Sequence, residues 1–352
     1  MRNWVDVTPA DGPSHDIVVG WLVSRVGRVA ARRALAGEDS VAGLLGQLHA
    51  HPDEIQGFAD GLDGLDVSAI GLHPQSPWPA GLAAIPDPPL VLFAAGHTGV
   101  LAQPVVAVVG ARQATRSGLA LAHEIGRELA GHGILVCSGL ARGIDAAAHR
   151  GALEAGCTLA VLGGGLRRIY PAEHRGLARS VRAQGLLVSE YAPDVEPRPH
   201  HFPERNRLIS GFSAAVVVVE ASEKSGSLIT ARLALEQGRD VMAVPGSVRS
   251  SVSRGCHRLL RDGAALVENA RDILDALRLP GIVRSPLMPG TETVASAPPP
   301  DALLAELDDE PQPHDLLAHR TGISAHDLSI RLARLELLGH VAQGADGYVR
   351  LC

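Results

Sequence analysis

Between His201 and Arg239 the chain sets three kinds of ligand-binding chemistry in close order. Phe202 offers a flat ring, and stacking of an unpaired base on such a ring contributes about 1–3 kcal/mol per base. Arg205-Asn206-Arg207 follows, two guanidinium groups flanking an amide. Guanidinium groups fork onto phosphate oxygens. Lys224-Ser225-Gly226-Ser227 then joins a point charge to a small-residue turn at the start of a helical pattern. Such turns present backbone N–H groups to an anion. Together these groups suit a ligand with both phosphates and bases. Two alternatives stand beside that reading. Phe202 can serve as a packing staple where Pro203 starts a helix. Arg205 and Arg207, two residues apart, cannot share a helix face, so one is expected to reach a ligand while the other pairs within the fold.

Further candidates lie upstream. Arg112 follows Gly110-Ala111 at the end of an apolar run, placed either to meet a phosphate or to close a structural ion pair. Ser117 is the expected N-cap of the next helix. In Ser138 to Asp145, Gly139 and Gly143 allow the backbone to approach a ligand closely, and Arg142 supplies charge. Asp145 and His149 are four apart and share a helix face. Two side chains make a poor metal site, and no third ligand stands at motif spacing. Hydrogen bonds that lock the turn explain the pair better than an acid/base role. Gly163-Gly164-Gly165 is not GxGxxG and lacks the ribose-binding acid, which argues against a nicotinamide dehydrogenase. No nucleophile–base pair emerges, so the expectation is a binder without catalysis and without cofactor or metal.

These groups need a frame. Apolar runs fall at 105–109, 134–137, 158–162, 186–189, 215–219 and 241–244, with helical patterns at 118–131, 143–155, 173–183 and 227–237. The run Ala214 to Val219 has no polar alternation, as expected of a strand buried on both faces. The alternation predicts an α/β fold, a doubly wound parallel sheet over residues 76–280, whose ligands bind beyond the carboxyl ends of the strands. Leu90 to Ala94 reads as an edge strand. Residues 1–75 read as helices at Ile17–Leu35, Val41–Leu48 and Pro52–Leu62, either a DNA-backbone-binding module of the SAM or helix-hairpin-helix kind or a cap on the next domain. Residues 281–300, rich in proline, read as a linker. Residues 301–352 read as a winged helix: short helices at Asp301–Leu307 and Pro313–His319, and a longer one from Ser324 with Leu328, Leu332, Leu335 and Leu338 on one face. A hairpin turns at Gly344–Gly347. Arg331 and Arg334 point it toward DNA, while Asp308, Asp309 and Glu310 point it toward a protein partner.

The chain has 352 residues and a net charge of -6, so any nucleic-acid contact must come from a local basic patch. Aromatic residues make up 3%, which gives weight to each exposed one. Four scattered cysteines, no signal-peptide pattern and no long uncharged apolar run predict a reduced, cytoplasmic protein with no membrane span.

The stretches VVAVVGAR, SGLARGIDAAAH, GGGLRRIYP, SEYAPD, HFPERNRLISG, VVVVEASEKSGSLITA, GRDVMAVPG and SRGCHRLLRDGA run nearly continuously over residues 104–267. In order and spacing they resemble the DprA/Smf family of DNA-processing proteins. The resemblance implies an extended Rossmann-like domain that binds single-stranded DNA, forms homodimers, and helps load the RecA recombinase during natural transformation. It places the DNA pocket at Gly110 and Arg112, at Ser138, Gly139, Arg142 and Gly143, at Phe202 with Arg205, Asn206 and Arg207, and at Lys224, Ser225, Gly226 and Ser227. Three departures bear on affinity. Ala111 stands where the family commonly has serine, His257 where it commonly has asparagine, and Arg198, His200 and His201 where a lysine can precede the phenylalanine. One rival is a purely structural partner-docking protein; the other is a Rossmann-like nucleotide hydrolase or sensor of the "lonely guy" type. Its catalytic glutamate would have to be Glu236, too far along from a loop that lacks the adjacent prolyl-glycines.

Overall fold

The apolar runs become the strands of one sheet. The computed structural model describes residues 14–27, 31–32, 51–71, 77–277, 312–321, 323, 325–337, 341–344 and 347–350. The chain divides into two compact units, Met1–Ile282 and Val283–Cys352.

In the first unit the central strands are β3 (Val105–Val109), β4 (Leu135–Ser138), β5 (Thr158–Leu162), β6 (Leu186–Ser189), β7 (Ala215–Val218) and β8 (Asp240–Ala243). All their mutual pairings are parallel. The full order is β1-β2-β6-β5-β4-β3-β7-β8-β9, with β1 Ser68–Gly71, β2 Val91–Gly96 and β9 Ala265–Leu266. Strand order reverses between β3 and β7, where doubly wound sheets open a crevice. Along β3, Val105, Ala107 and Val109 join one hydrophobic cluster, and Val106 and Val108 the cluster on the other side. Both faces are covered, which is why these strands read as unbroken apolar runs.

Helices α4 (Arg116–Gly131) and α5 (Ile144–Ala155) cover one face. On the other lie α7 (His201–Phe212), α8 (Ser227–Glu236) and the short α3 (Ala80–Ala83). Helix α6 (Arg175–Gln184) packs with the amino-terminal helices α1 (His15–Val26) and α2 (Pro52–Asp63). Two short helices, α9 (Arg254–Arg261) and α10 (Ala270–Leu277), end the unit.

Two readings change, and one open alternative narrows. Strand β2 is interior: β1 pairs with it on one side and β6 on the other, both antiparallel. The amino-terminal helices share a core with the sheet, where Trp21 and Leu22 join Phe93 and Leu187, so their described residues cap it within the same unit. The N-cap of α4 is Thr115, whose hydroxyl accepts the Gly118 N–H (3.0 Å). Ser117 contacts the same hydroxyl from inside the helix (2.9 Å). Expected helices at Val41–Leu48 and Asp301–Leu307 and the linker at 281–300 lie outside the described residues.

The second unit holds α11 (His314–Thr321), α12 (Ala325–Leu337) and a hairpin of β10 (Val341–Gly344) with β11 (Gly347–Arg350). Leu317, Leu328, Leu332, Leu335 and Val341 form its core. Gln312 bridges to Tyr348 beside the hairpin. Arg331 is exposed on α12.

Candidate nucleic-acid interface

The loops after β3, β4 and β5 and the first turn of α7 meet in a shallow cleft at the carboxyl ends of the strands. It is lined by Arg112, Gly139, Ala141, Arg142, Tyr170, Pro171, Phe202 and Arg205. The Tyr170 and Phe202 rings lie 5.5 Å apart and tilted by 51°. The Arg112 guanidinium sits over Phe202 at 5.6 Å, within cation–π range. Tyr170 is 50% exposed and Phe202 half-buried. The rim therefore offers an aromatic surface flanked by two exposed cations, Arg112 and Arg142.

Buried side chains hold the floor rigid. Leu140 adopts φ +56, a left-handed conformation that a branched residue keeps only under constraint. Its N–H donates to His149 Nε2 (3.3 Å), and its carbonyl accepts from His174 Nδ1 (2.8 Å). Asp145 accepts the N–H groups of Gly139 (3.1 Å) and Ala141 (3.4 Å). The tautomer of His149 follows from its partners. Thr158 gives its hydroxyl proton to the Val136 carbonyl, so at 2.7 Å it can only accept from Nδ1–H. Burial, then the Arg205 charge, holds His149 down at about 3, so it stays neutral. Burial pushes the Asp145 carboxyl up, against the pull of Arg205 and the two N–H groups. Asp145 and His149 are thus locks on the turn. At Gly143, φ +76 and the close approach of the Ala111 carbonyl leave no room for a side chain.

Arg205 lies beneath the cleft, 5% exposed. Its Nη1 donates to the carbonyls of Gly139 (2.8 Å) and Val161, tying the ends of β4 and β5 together. A Cβ at position 139 would overlap that guanidinium, which accounts for the glycine. Arg207 points elsewhere: it is buried and bonds both Glu190 oxygens (2.7 and 2.9 Å) and Asp87 (3.0 Å). Of the two arginines, one borders the cleft from below and the other pairs within the fold. Both are structural by their partners.

Other expected site residues stand outside the lining. The Ser138 hydroxyl is buried and donates to the Val108 carbonyl (2.6 Å). Gly110 is a close-packing point against Ile144 and the Glu220 backbone. Asn206 reaches the Gly226 carbonyl at 3.5 Å and so connects α7 to the Lys224–Ser227 loop. Lys224 is exposed. Ser225 and Ser227 hydroxyls bond each other (2.7 Å), and Ser225 takes the N–H groups of Ser227 and Leu228, so much of this turn's donor capacity is engaged internally. The Gly163–Gly165 stretch is covered by the chain itself: Gly165 N–H donates to Val195 (2.8 Å) and the Gly164 carbonyl accepts from Ser189 (2.8 Å).

The departures from family pattern also find places. Ala111 is buried and its carbonyl accepts the Ile144 N–H (3.2 Å). His257 meets the Gly246 carbonyl (3.0 Å). His201 is buried, stacks on Tyr191 at 4.0 Å, and is held below its ordinary range first by burial. Arg198 and His200 are exposed. Sequence reasoning missed Tyr170 and Pro171. The scarcity of aromatics was the available signal for Tyr170. Among the described residues, no group of three or more His, Cys, Asp or Glu could hold a metal, and no helix is long and apolar enough to cross a membrane.

Residues 70–278 match the family model described as DNA recombination-mediator protein A, and residues 289–347 match the DprA winged helix domain. The chain belongs to the DprA/Smf family. It is 42% identical over 281 residues to Protein Smf of Escherichia coli (strain K12), covering 78% of this chain and 75% of that one. It is 43% identical over 198 residues to the DNA processing protein DprA of Streptococcus pneumoniae, covering 56% and 70%. The solved structure of DprA from Streptococcus pneumoniae superposes with TM-score 0.61 at 33% identity over 74% of this chain and 95% of that one. A structure of DNA processing protein A from Helicobacter pylori, concerned with that protein's single-stranded DNA binding mode, gives TM-score 0.55 at 30% identity over 60% and 95%. The winged-helix model begins at residue 289, inside the stretch whose composition reads as linker.

Proposed function

We propose that this DprA/Smf-family chain binds single-stranded DNA in the cleft, protects incoming DNA, and helps load the RecA recombinase during natural transformation. It does so as a cytoplasmic homodimer and without catalysis. The observation that carries the DNA reading is the Tyr170–Phe202 pair, 5.5 Å apart, beside the exposed cations Arg112 and Arg142. Stacking on such a surface needs unpaired bases. In this reading Tyr170 and Phe202 take bases and Arg112 and Arg142 take phosphates. Lys224, with Ser225, Gly226, Ser227 and Asn206 behind it, takes a phosphate further along. Arg205 and the Ser138–Gly143 turn position the cleft. Family membership supports the recombinase and the homodimer. The Helicobacter pylori relative supports the single strand as ligand. The nucleotide-hydrolase rival gains nothing here, since Glu236 is exposed and pairs with Arg232 (3.5 Å) at the far end of α8.

Competition between single-stranded and duplex oligonucleotides in one titration tests this. Single strands should bind more tightly, with little sequence preference, and Tyr170→Ala or Phe202→Ala should each remove about 1–3 kcal/mol of binding. Duplex that competes equally well rejects the cleft and moves DNA contact to the winged helix.

A further inference from the structure

The rim of the cleft carries a carboxylate as well as cations. Glu173 stands two residues beyond Pro171, in the 3-10 turn Ala172–His174 that leads into α6. Its Oε1 accepts the Nε–H of Arg142. The hydrogen bond holds Glu173 below the usual carboxylate range and raises Arg142. Both side chains are open to water, 60% exposed for Arg142 and 52% for Glu173. Exposed pairs of this kind contribute little to stability. The turn is anchored without it, by the buried Pro171 and by His174 on the Leu140 carbonyl. Among the described residues Arg112, the other rim cation, pairs with no carboxylate.

A guanidinium recognises carboxylate and phosphate through the same donors. We propose that Glu173 occupies the phosphate position on Arg142 while the cleft is empty, and that a backbone phosphate displaces it. Glu173 is then an internal competitor that sets the affinity and salt dependence of the cleft. The inference rests on the single-stranded DNA reading above. Its consequence is a strand held less tightly than the rim cations alone would hold it, and released without any change of fold.

Anisotropy titrations of a labelled oligothymidylate over a range of salt, with wild type, Glu173→Gln, Arg142→Ala and the double variant, test the proposal. Glu173→Gln should bind about two- to fivefold more tightly, the range of an exposed ion pair. Its log–log salt slope should steepen by up to about 0.7, the value for one phosphate on a single strand. In the Arg142→Ala background the same substitution should give a clearly smaller gain. Thermal unfolding of Glu173→Gln should match wild type, because both groups are exposed. Wild type that binds while Glu173→Gln gains nothing overturns the competitor alone, and so does an equal gain in both backgrounds, which would mark a diffuse charge effect. A wild type that binds no oligonucleotide overturns it together with the reading beneath it.

Discussion

Helix α7 and the rim of the cleft use the same residue type in opposite ways. Arg205 and Arg207 are buried, and each donates to partners fixed by the fold: the carbonyls of Gly139 after β4 and Val161 in β5, or Glu190 and Asp87. Arg112 and Arg142 stand at strand ends with their guanidinium groups in water. A cation in low dielectric must find acceptors for its N–H groups, because its desolvation is costly. A cation at the rim stays in water, without a carboxylate partner among the described residues, like Arg112, or in an exposed pair, like Arg142 with Glu173. Burial, and not residue type, separates the arginines that build this cleft from those that stand at its water-facing rim. The same division runs through the polar residues. Ser138, Asp145 and His149 lock the β4–α5 turn from within, while Lys224 stays outside on a loop held by its own serines.

The comparison breaks first at Arg207. Removing it leaves Glu190, 4% exposed, without the guanidinium that meets both its oxygens. Arg207→Ala should therefore destabilise the fold by about 3–5 kcal/mol, the cost of breaking a buried pair from one side. The folded fraction should still bind single-stranded DNA, since Arg207 does not line the cleft. Chemical denaturation and binding on the same sample check both halves. A stable Arg207→Ala protein with weakened binding would place this residue at the rim after all.

The second test concerns His149. His149→Ala should lose about 1–3 kcal/mol of stability at pH 7–8 for a broken buried hydrogen bond. The native histidine holds no proton down to about pH 3, whereas the unfolded chain gains one below about 6.5. In that window the unfolded state binds more protons, so this group's contribution falls as pH falls, by up to about 1.4 kcal/mol per unit. Asp145, pushed up by burial, acts in the opposite direction, since its native form holds the proton longer. It is present in both proteins, so the gap between wild type and His149→Ala should close below pH 6.5. Denaturation curves whose gap is constant from pH 8 to 4.5 would show that His149 is not held neutral. Oligonucleotides and nucleoside monophosphates should stay intact with either protein, with or without divalent metal.

Most of the sheet was legible because each central strand is covered on both faces, and continuous apolar runs such as Val216 to Val219 have few other uses. Strands β1 and β9 were not, since Ser68–Gly71 is four residues with only Gly71 buried and Ala265–Leu266 is two exposed residues long. Without β1, the run at Val91–Gly96 could only look like an edge. Of the residues that line the cleft, Arg112, Gly139, Arg142, Phe202 and Arg205 were recognisable from their place after strands or beside the helix start. The fate of Arg207 was not, because its partners lie 17 and 120 residues upstream and no local pattern names them. Tyr170 was missed for a related reason. It sits in a loop after β5, and only the fold carries it to within 5.5 Å of Phe202.

The smallest expected effect sharpens the comparison most. Arg112 and Lys224 are both exposed, so alanine at either should leave stability within about 0.5 kcal/mol of wild type, as for surface changes away from packing. Binding should respond differently. Each cation that neutralises one phosphate releases about 0.7 counterions from a single strand, so each variant should flatten the log–log salt dependence by about that amount. Arg112 also covers Phe202, and its loss uncovers that ring. At high salt, where phosphate contacts count least, Arg112→Ala should therefore recover affinity relative to Lys224→Ala. Titrations at several salt concentrations resolve the two slopes and the crossing. Unchanged slopes in both variants would mean that neither residue touches DNA, and that exposure alone does not mark the cations that meet a phosphate.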